Sequence, residues 1–207
     1  MNVIVFGATG SVGRHLVAQA LQQDHRVTAF ARHADSLEIQ HDKLIKIAGD
    51  VLNAAAVEAA LAGQDAAMIT LGAGRKGGVR AEGTRNIIAA MQRHGPSRLI
   101  CQSTLGAGDS RQQLNFFWKR IMFGLLLRPA YLDHQLQEAL VRESGLDWTI
   151  VRPAAFTDGP LSASYQAGFP PSVRGLTLKI SRADVADFML RQLRDGRYLH
   201  QTPGLSY

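Results

Sequence analysis

The stretch MNVIVFGATGSVGRHLVAQALQQ at residues 1–23 decides the fold predicted for this chain. Residues 3–6 form a continuous apolar run, which is typical of a strand buried on both faces. A glycine turn at residues 7–13 follows, and the apolar residues from 11 to 22 then recur at helical spacing. The stretch therefore predicts a strand, a tight turn and a helix, which is how a β-α-β unit begins.

The turn reads GATGSVG, with glycines at Gly7, Gly10 and Gly13. Gly10 lets the backbone approach a pyrophosphate closely, and Gly13 lets the helix pack tightly on the strand. The helix N-terminus supplies free N–H groups and the positive end of a dipole to the phosphates. A loose glycine pattern alone is weak evidence, but its place between the first strand and the first helix favours a dinucleotide site.

The rest of the chain alternates short apolar runs with helical patterns. Further strands are predicted at residues 26–30, 44–48, 66–71, 98–103 and 148–151, with Pro153 ending the last one. Asn53, Asp133 and Ser181 are predicted to cap helices that run to residues 61, 144 and 193, and another helix is predicted at 79–94. This order predicts an α/β fold of the doubly wound Rossmann type, a mostly parallel sheet with helices on both faces.

The length and charge bound the domain count and the partners. The 207 residues suffice for one domain with a large core, so we predict a single NAD(P)-binding domain over 1–207. Substrate-side excursions are expected at about residues 105–130 and 154–180. The net charge of +6 comes from scattered Lys and Arg residues, and no zinc-finger or RNP-like motif occurs, so we expect no nucleic-acid partner.

Cysteine usage and the apolar stretches bound the compartment. Cys101 is the only cysteine, which excludes an intrachain disulfide and a Cys cluster for a metal. The apolar stretch at residues 121–127 is too short to span a membrane, and the first residues lack the basic region of a secretory signal. We therefore expect a cytoplasmic protein, without a metal or a membrane span, that is a monomer or a weak dimer.

Arg32 follows the second predicted strand, 19 positions after Gly13. NAD-specific proteins place an acidic residue here for the ribose 2′-hydroxyl, whereas an arginine suits a 2′-phosphate. The neighbours Ala31 and His33 are not acidic. The sequence therefore favours NADPH over NADH, with a plain surface role for Arg32 as the alternative.

Other candidate residues follow the remaining strands, because open α/β sheets bind ligands at the carboxyl ends of their strands. Asp50 and Val51 follow the third strand and can flank the adenine. Leu71 and Gly72 end the fourth strand, where the chain passes the ribose. Ser103 ends the fifth strand, and its hydroxyl either reaches the nicotinamide or the substrate, which makes it the candidate catalytic residue, or only caps the strand end.

Longer motifs carry a resemblance to one family. They are GATGSVG, FARH at 30–33, AGDVLNAAAV at 48–57, AGQDA at 62–66, EGTRNIIAAM at 82–91, CQS at 101–103, LDH at 132–134, VRESGL at 141–146 and ISRADVADFML at 180–190. Over nearly its whole length the chain resembles the biliverdin-IXβ reductase or NADPH flavin reductase family. This family belongs to the atypical short-chain dehydrogenases with an NmrA-like NAD(P)H-binding domain.

The resemblance implies hydride transfer from NADPH to a flavin or an open-chain tetrapyrrole, with Ser103 beside the nicotinamide. It implies NADPH contacts at Gly7, Thr9, Gly10, Ser11, Val12, Arg32, Asp50, Val51, Leu71, Gly72, Cys101, Ser103 and His134. To this set of candidate cofactor-binding residues we add Gly13 and Pro153.

Three positions depart from the family pattern. Ala154 stands where the family has a His, and Ser36 stands where it has a second arginine for the 2′-phosphate. The loop GRKG at residues 74–77 is shorter, and Arg75 or Lys76 could replace a lost phosphate contact. Ala154 puts His-dependent protonation in doubt and leaves NADPH binding untouched.

The tyrosines also exclude one kind of chemistry. In classical short-chain dehydrogenases a Lys four residues after a Tyr lowers the pKa of that Tyr so that it can act as an acid or base. None of Tyr131, Tyr165, Tyr198 and Tyr207 has a Lys at that spacing, which argues against classical ketone–alcohol chemistry. Flavin or quinone reduction needs no strong protein acid if the two rings stack well.

Several residues keep more than one interpretation. Residues 114–127, with Phe116, Phe117 and Trp118, could form core and a helix, a lid over an aromatic substrate, or a membrane-surface helix. His134 could contact the cofactor or lie at the surface, and Glu138 could orient it or belong to a solvated helix face. Cys101 is interpreted as a small buried residue near the cofactor.

Together the residues and the resemblance favour an NADPH-dependent reductase of a flavin, a quinone or a related conjugated aromatic acceptor. The alternative is an NADP(H)-binding redox sensor that signals to a protein partner without turnover. An epimerase or dehydratase is disfavoured by the missing Tyr/Lys pair.

Overall fold

The computed structural model describes residues 1–72, 74, 77–114, 117–170 and 173–207. The predicted phosphate contacts at Arg75 and Lys76, and the aromatic residue Phe116, lie outside the described residues.

An eight-stranded sheet forms the centre of the molecule. Its strands are β1 (Asn2–Phe6), β2 (Arg26–Ala31), β3 (Leu44–Ala48), β4 (Ala66–Ile69), β5 (Arg98–Gln102), β6 (Asp147–Pro153), β8 (Gln166–Ala167) and β10 (Gly204–Ser206). They lie in the order β3-β2-β1-β4-β5-β6-β10-β8, and all neighbours are parallel except β10 and β8. A separate parallel pair is formed by β7 (Ala155–Thr157) and β9 (Lys179–Ser181).

Among the described residues, five α-helices cover the two faces of the sheet. They are α1 (Gly13–Gln22), α2 (Ala54–Leu61), α3 (Val79–His94), α4 (Arg128–Arg142) and α5 (Arg182–Arg191). Helices α1 and α5 contribute to one hydrophobic cluster, and α2, α3 and α4 contribute to the other. Short 3₁₀-helices occur at Ala34–Ser36, Gly108–Gln113 and Gly196–Tyr198, and a π-helix occupies Phe117–Leu126.

Strand β1 shows why the sheet must be covered on both sides. Val3 and Val5 pack into the cluster of α1 and α5, whereas Ile4 and Phe6 pack into the cluster of α2, α3 and α4. All four side chains are fully buried. Successive residues of a strand point to opposite faces, so a continuous apolar run is what a doubly covered strand requires. The predicted α/β fold with helices on both faces is confirmed.

The strand order reverses at β1. The chain moves outward from β1 to β2 and β3, and then returns to place β4 on the other side of β1. At such a switch point the connections leave in opposite directions, which opens a crevice at the carboxyl ends of β1 and β4.

One predicted helix start is wrong. Asp133 does not cap its own helix, because α4 begins at Arg128 with Pro129 in its first turn, and Asp133 lies inside it. Proline suits the first turn of a helix, where its missing N–H is not needed. Strand β6 ends at Pro153 as predicted, but it begins at Asp147 and includes the proline, which pairs with Leu205 and whose carbonyl accepts a hydrogen bond from Leu105 N at 2.8 Å.

Asn53 and Ser181 cap helices as predicted. The Asn53 side chain accepts a hydrogen bond from Ala56 N at 3.2 Å, and the Ser181 hydroxyl accepts one from Asp184 N at 3.0 Å. No helix among the described residues is both long enough and apolar enough to cross a membrane.

Candidate functional site

A cleft of about 360 Å³ opens where the strand order reverses, at the carboxyl edge of the sheet. The loops after β1, β2, β3 and β4 line it. The sequence-predicted residues that line it are Gly7, Thr9, Gly10, Ser11, Val12, Arg32, Asp50, Val51, Leu71 and Gly72. We call this cavity the nucleotide cleft.

The glycine turn is compact because two of its glycines admit no side chain. Gly7 has a φ of +84°, and a Cβ built there would lie 2.7 Å from the Thr70 carbonyl oxygen. A Cβ at Gly13 would lie 2.2 Å from the Gly7 carbonyl oxygen. These contacts bring the start of α1 directly against the end of β1.

The start of α1 has free hydrogen-bond donors. The N-cap Val12 makes no side-chain cap, and the first turn holds no acidic residue. Among the described residues, no acceptor receives the backbone N–H of Thr9, Ser11 or Val12. Unpaired donors at the positive end of a helix suit a bound phosphate, so the turn fits a dinucleotide.

Arg32 lies exposed at the mouth of the nucleotide cleft, next to His33. None of the described residues forms an ion pair with it. Ser36 is not directed at the cleft as a donor, because its hydroxyl donates to the His33 carbonyl at 2.7 Å. Arg32 is therefore a free cation at the position where a 2′-phosphate would require one.

A second cavity, of about 220 Å³, adjoins the nucleotide cleft and is mostly apolar. Its lining includes Leu105, Leu114, Leu127, Ala130, Ala154 and Leu178. We call it the acceptor pocket. Three residues line both cavities, and they are Arg80, Gln102 and Phe156.

Of the predicted site residues, Ser103 and His134 line the acceptor pocket. Ser103 is 1% exposed, and its hydroxyl has no hydrogen-bond partner among the described residues. His134 is 8% exposed, so the surface alternative is wrong. The predicted residues that line neither cavity are Gly13, Cys101 and Pro153.

His134 is held in its neutral form. Burial, and then the nearby charge of Arg80, lower the pKa of His134 from 6.5 to about 3. Its Nδ1 atom is buried and has no hydrogen-bond partner in the part of the chain that the structure describes. At neutral pH this imidazole is therefore a polar, uncharged part of the pocket wall.

Glu138 neither orients His134 nor lies on a solvated face, so both interpretations of it are wrong. Its carboxylate accepts two hydrogen bonds from Arg152, from Nε at 2.9 Å and from Nη2 at 2.7 Å. Arg152 is only 1% exposed, and its Nη1 donates to Asp109 at 2.6 Å. A buried guanidinium needs such partners, because an unpaired charge in the interior is strongly destabilising.

Arg80 is the functional candidate that the sequence did not reveal. Its side chain is 12% exposed, and its Nε and Nη1 atoms are buried without hydrogen-bond partners among the described residues. Nη1 lies 3.7 Å from a carboxylate oxygen of Asp133. The local sequence places Arg80 in the first turn of α3. Its position between the two cavities depends on how α3 packs on α4, and no sequence pattern indicates that packing.

Cys101 is a fully buried thiol, and the described residues hold no metal site. Burial raises the pKa of the Cys101 thiol far above its usual range, with a smaller contribution from Glu138. The described part of the chain contains no group of three or more His, Cys, Asp or Glu side chains that could hold a metal ion.

The fold and the glycine turn define a Rossmann-type nucleotide-binding protein. Residues 7–196 match the sequence profile of the NAD(P)H-binding family, and the chain belongs to that family. NAD(P)H is therefore its cofactor.

The curated relatives match this chain to different extents. The UPF0659 protein YMR090W of Saccharomyces cerevisiae is 30% identical over 210 residues, which cover 93% of this chain and 87% of the yeast protein. Curated relatives from mycobacteria, which are uncharacterized proteins, are 38% identical over 106 residues, and this chain spans only 12% of their length.

Two solved structures have the same fold. ChuY, an anaerobillin reductase from Escherichia coli O157:H7, is 28% identical, with a TM-score of 0.81 and coverage of 99% of this chain and 96% of ChuY. A short-chain dehydrogenase/reductase of Veillonella parvula in complex with NADP is 19% identical, with a TM-score of 0.84 and coverage of 100% and 94%.

Proposed function

We propose that this protein is an NADPH-dependent reductase that transfers hydride to a conjugated acceptor such as a flavin, a quinone or an open-chain tetrapyrrole. The observation that carries the proposal is the continuity of the two cavities, which meet at Arg80, Gln102 and Phe156. A cofactor whose phosphates lie at the glycine turn can then present its other end to a ligand in the acceptor pocket.

The cofactor contacts are part of the proposal. The backbone N–H groups of Thr9, Ser11 and Val12 would bind the pyrophosphate, and Arg32 would bind the 2′-phosphate. Asp50, Val51, Leu71 and Gly72 would contact the adenosine half and the ribose, and Ser103 would lie at the nicotinamide end. Bound NADPH supplies the hydride.

The acceptor pocket suits a planar ring that needs no strong acid from the protein. Apolar side chains such as Leu105, Leu114 and Leu178 would exclude water from a ring bound there. His134 is neutral at working pH and holds no proton to donate as an imidazolium. Ala154, where the resembling family has a His, supplies none either. In this proposal the proton that completes reduction comes from solvent.

One structural relative with a named activity supports this class of acceptor. ChuY is an anaerobillin reductase, and it is similar to this chain over nearly the whole length of both proteins. The ends of residues 114–127 line the acceptor pocket at Leu114 and Leu127, which supports the lid interpretation of that segment.

NADPH oxidation is the test, with FMN, riboflavin, a simple benzoquinone and a linear tetrapyrrole as acceptors. The Ala130→Trp variant fills the acceptor pocket from α4, and Ala139→Trp places the same side chain on the exposed face of that helix. We expect wild type and Ala139→Trp to reduce at least one acceptor, and we expect Ala130→Trp to bind NADPH without reducing any acceptor. NADPH binding without turnover of any acceptor by the wild-type protein would contradict the proposal.

The second candidate function is an NADP(H)-binding sensor without turnover. The observation in its favour is that Ala154 lines the acceptor pocket at the position of the family His. Such a sensor would bind NADPH tightly and form a stable complex with a protein partner only in one redox state of the cofactor. A partner complex that does not respond to the redox state would contradict this candidate.

A further inference from the structure

We propose that Arg80 stabilises the negative charge that hydride transfer leaves on the acceptor. This inference rests on the proposed reductase function. It assigns a catalytic role to a residue that carries no recognisable sequence motif.

Arg80 is a cation that the protein itself does not satisfy. Its Nε and Nη1 atoms are buried and lack hydrogen-bond partners among the described residues, and only the 3.7 Å approach to Asp133 offsets the charge. Burial lowers the pKa of Arg80, against the opposing effect of Asp133. Native proteins satisfy almost all buried polar groups, so a guanidinium in this state points to a ligand that completes it.

The position of Arg80 favours the reacting centre over the phosphates of the cofactor. The pyrophosphate has the free N–H groups of the α1 start, and the 2′-phosphate has Arg32, both in the nucleotide cleft. Arg80 lies instead at the junction with the acceptor pocket. Among the described residues that line that pocket it is the only arginine or lysine.

The acceptor pocket contains further buried polar groups that lack hydrogen-bond partners among the described residues. The Ser103 hydroxyl, Nδ1 of His134 and Oε1 of Gln102 are also buried without hydrogen-bond partners in the described part of the chain. All of them belong to residues that line the acceptor pocket with Arg80. Of these groups the Ser103 hydroxyl can donate, whereas Oε1 of Gln102 can only accept. Preorganised donors in a pocket with apolar walls, here the Arg80 guanidinium and the Ser103 hydroxyl, stabilise anionic transition states.

The reaction balances with one hydride and one solvent proton. The acceptor gains the hydride with its electron pair, NADPH is oxidised to NADP⁺, and an oxygen or nitrogen of the acceptor becomes negatively charged. The guanidinium pairs with that atom and keeps its own protons, because arginine does not deprotonate in proteins. The anion then takes a proton from water, which yields the reduced acceptor.

The first test is a binding measurement that requires no turnover. 4-Nitrophenol, whose ionised form has its own absorption band, is titrated with pH in the presence of the protein and NADP⁺. Its phenolate mimics the anionic product. In the wild-type protein we expect the bound phenol to have a pKa about 1–3 units lower than in Arg80→Met, because a nearby cation favours the ionised form. The control Arg85→Met lies on the exposed face of the same helix, and its titration should match wild type.

The second test is the rate. With an acceptor that the wild-type protein reduces, we expect Arg80→Met to lower kcat by about 10²–10³-fold, the effect of removing one charge-stabilising donor. The Kd for NADPH should remain at the wild-type value. Arg80→Gln is measured in the same way if the thermal midpoint shows that Arg80→Met is not folded.

The two proposals fail separately. If the phenol pKa is the same in wild type and in a folded Arg80 variant, or if kcat is unchanged, Arg80 has no such role while the reductase function stands. If no acceptor is reduced, the reductase function fails, and with it the catalytic role of Arg80, even where the phenol titration shows an anion site.

Discussion

Asp133 caps a helix that is not its own, because its carboxylate accepts a hydrogen bond from the backbone N–H of Arg80 at 3.1 Å. The other carboxylate oxygen accepts one from Ala81 N at 3.0 Å. Both donors belong to the first turn of α3, whereas Asp133 lies inside α4. One carboxylate therefore joins two helices and lies beside the guanidinium at the junction of the two cavities.

Removing this cap should lower the stability of the protein. We expect Asp133→Ala to lower the free energy of unfolding by about 1–3 kcal/mol, because it leaves two helix N–H groups without their acceptor and removes the carboxylate nearest to the buried Arg80 guanidinium. Denaturant unfolding measures it, with the exposed Asp42→Ala as the control. An Asp133→Ala protein as stable as Asp42→Ala would show that water replaces the cap.

Arg32 should decide the choice between the two nicotinamide cofactors. We expect Arg32→Ala to raise the Kd for NADPH by about 10-fold to 100-fold, because hydrogen bonds to a charged group contribute about 1.5–3 kcal/mol. The Kd for NADH should stay constant. Arg26→Ala, at the opposite end of β2, is the matched control, and an equal loss for NADPH and NADH would contradict the prediction.

Gly13 should tolerate no side chain. Because a Cβ there would lie 2.2 Å from the Gly7 carbonyl oxygen, Gly13→Ala must displace the glycine turn or the start of α1. We expect a loss of about 1–3 kcal/mol in the free energy of unfolding, together with weaker NADPH binding. Gly196→Ala is the control, since a Cβ at Gly196 meets nothing within 4 Å.

The buried pair of Glu138 and Arg152 should be costly to break and cheap to replace. We expect Glu138→Ala to lower the free energy of unfolding by about 3–5 kcal/mol, because it leaves the Arg152 charge buried without its bidentate partner. The double variant Glu138→Leu/Arg152→Met should recover much of this loss. A double variant no more stable than Glu138→Ala would contradict this account, and Glu143→Ala is the exposed control on the same segment.

His134 should make the protein less stable in acid. Its pKa is lowered in the folded protein from 6.5 to about 3, by burial first and by Arg80 second, so the unfolded chain binds the proton more readily. Stability from this group is therefore fully present above pH 6.5 and is lost as the pH falls towards 3.

The corresponding measurement is the free energy of unfolding at several pH values between about 4.5 and 6.5, above the range where most carboxylates titrate. If the unfolded state binds one proton more than the folded state, the free energy of unfolding changes by about 1.4 kcal/mol per pH unit. We expect His134→Gln to reduce the wild-type slope by about that amount. The exposed His94→Gln is the control, and a slope that His134→Gln leaves unaltered would disprove the assignment.

Part of the candidate site could be predicted because it depends on local sequence. The elements at Leu44–Ala48 and Val79–His94 have the predicted bounds, and the glycine turn lies between β1 and α1 as expected. Strand ends could be assigned to one edge of the sheet because parallel strands place their carboxyl ends together. This rule places Ser103 and Arg32 at the same edge of the sheet, and in the structure Ser103 lines the acceptor pocket and Arg32 lines the nucleotide cleft.

The sequence by itself determined the α/β order, the doubly wound sheet and the glycine turn, because hydrophobic period and turn chemistry act over a few neighbouring residues. Only the tertiary structure decided that Asp133 caps α3, that Glu138 binds Arg152, and that Arg80 lies between the two cavities. These relationships join residues from different helices and strands. The sequence indicates that an Asp can cap a helix, but it does not indicate which helix supplies the N–H donors. In this protein the packing of α4 against α3 decides that the donors come from α3.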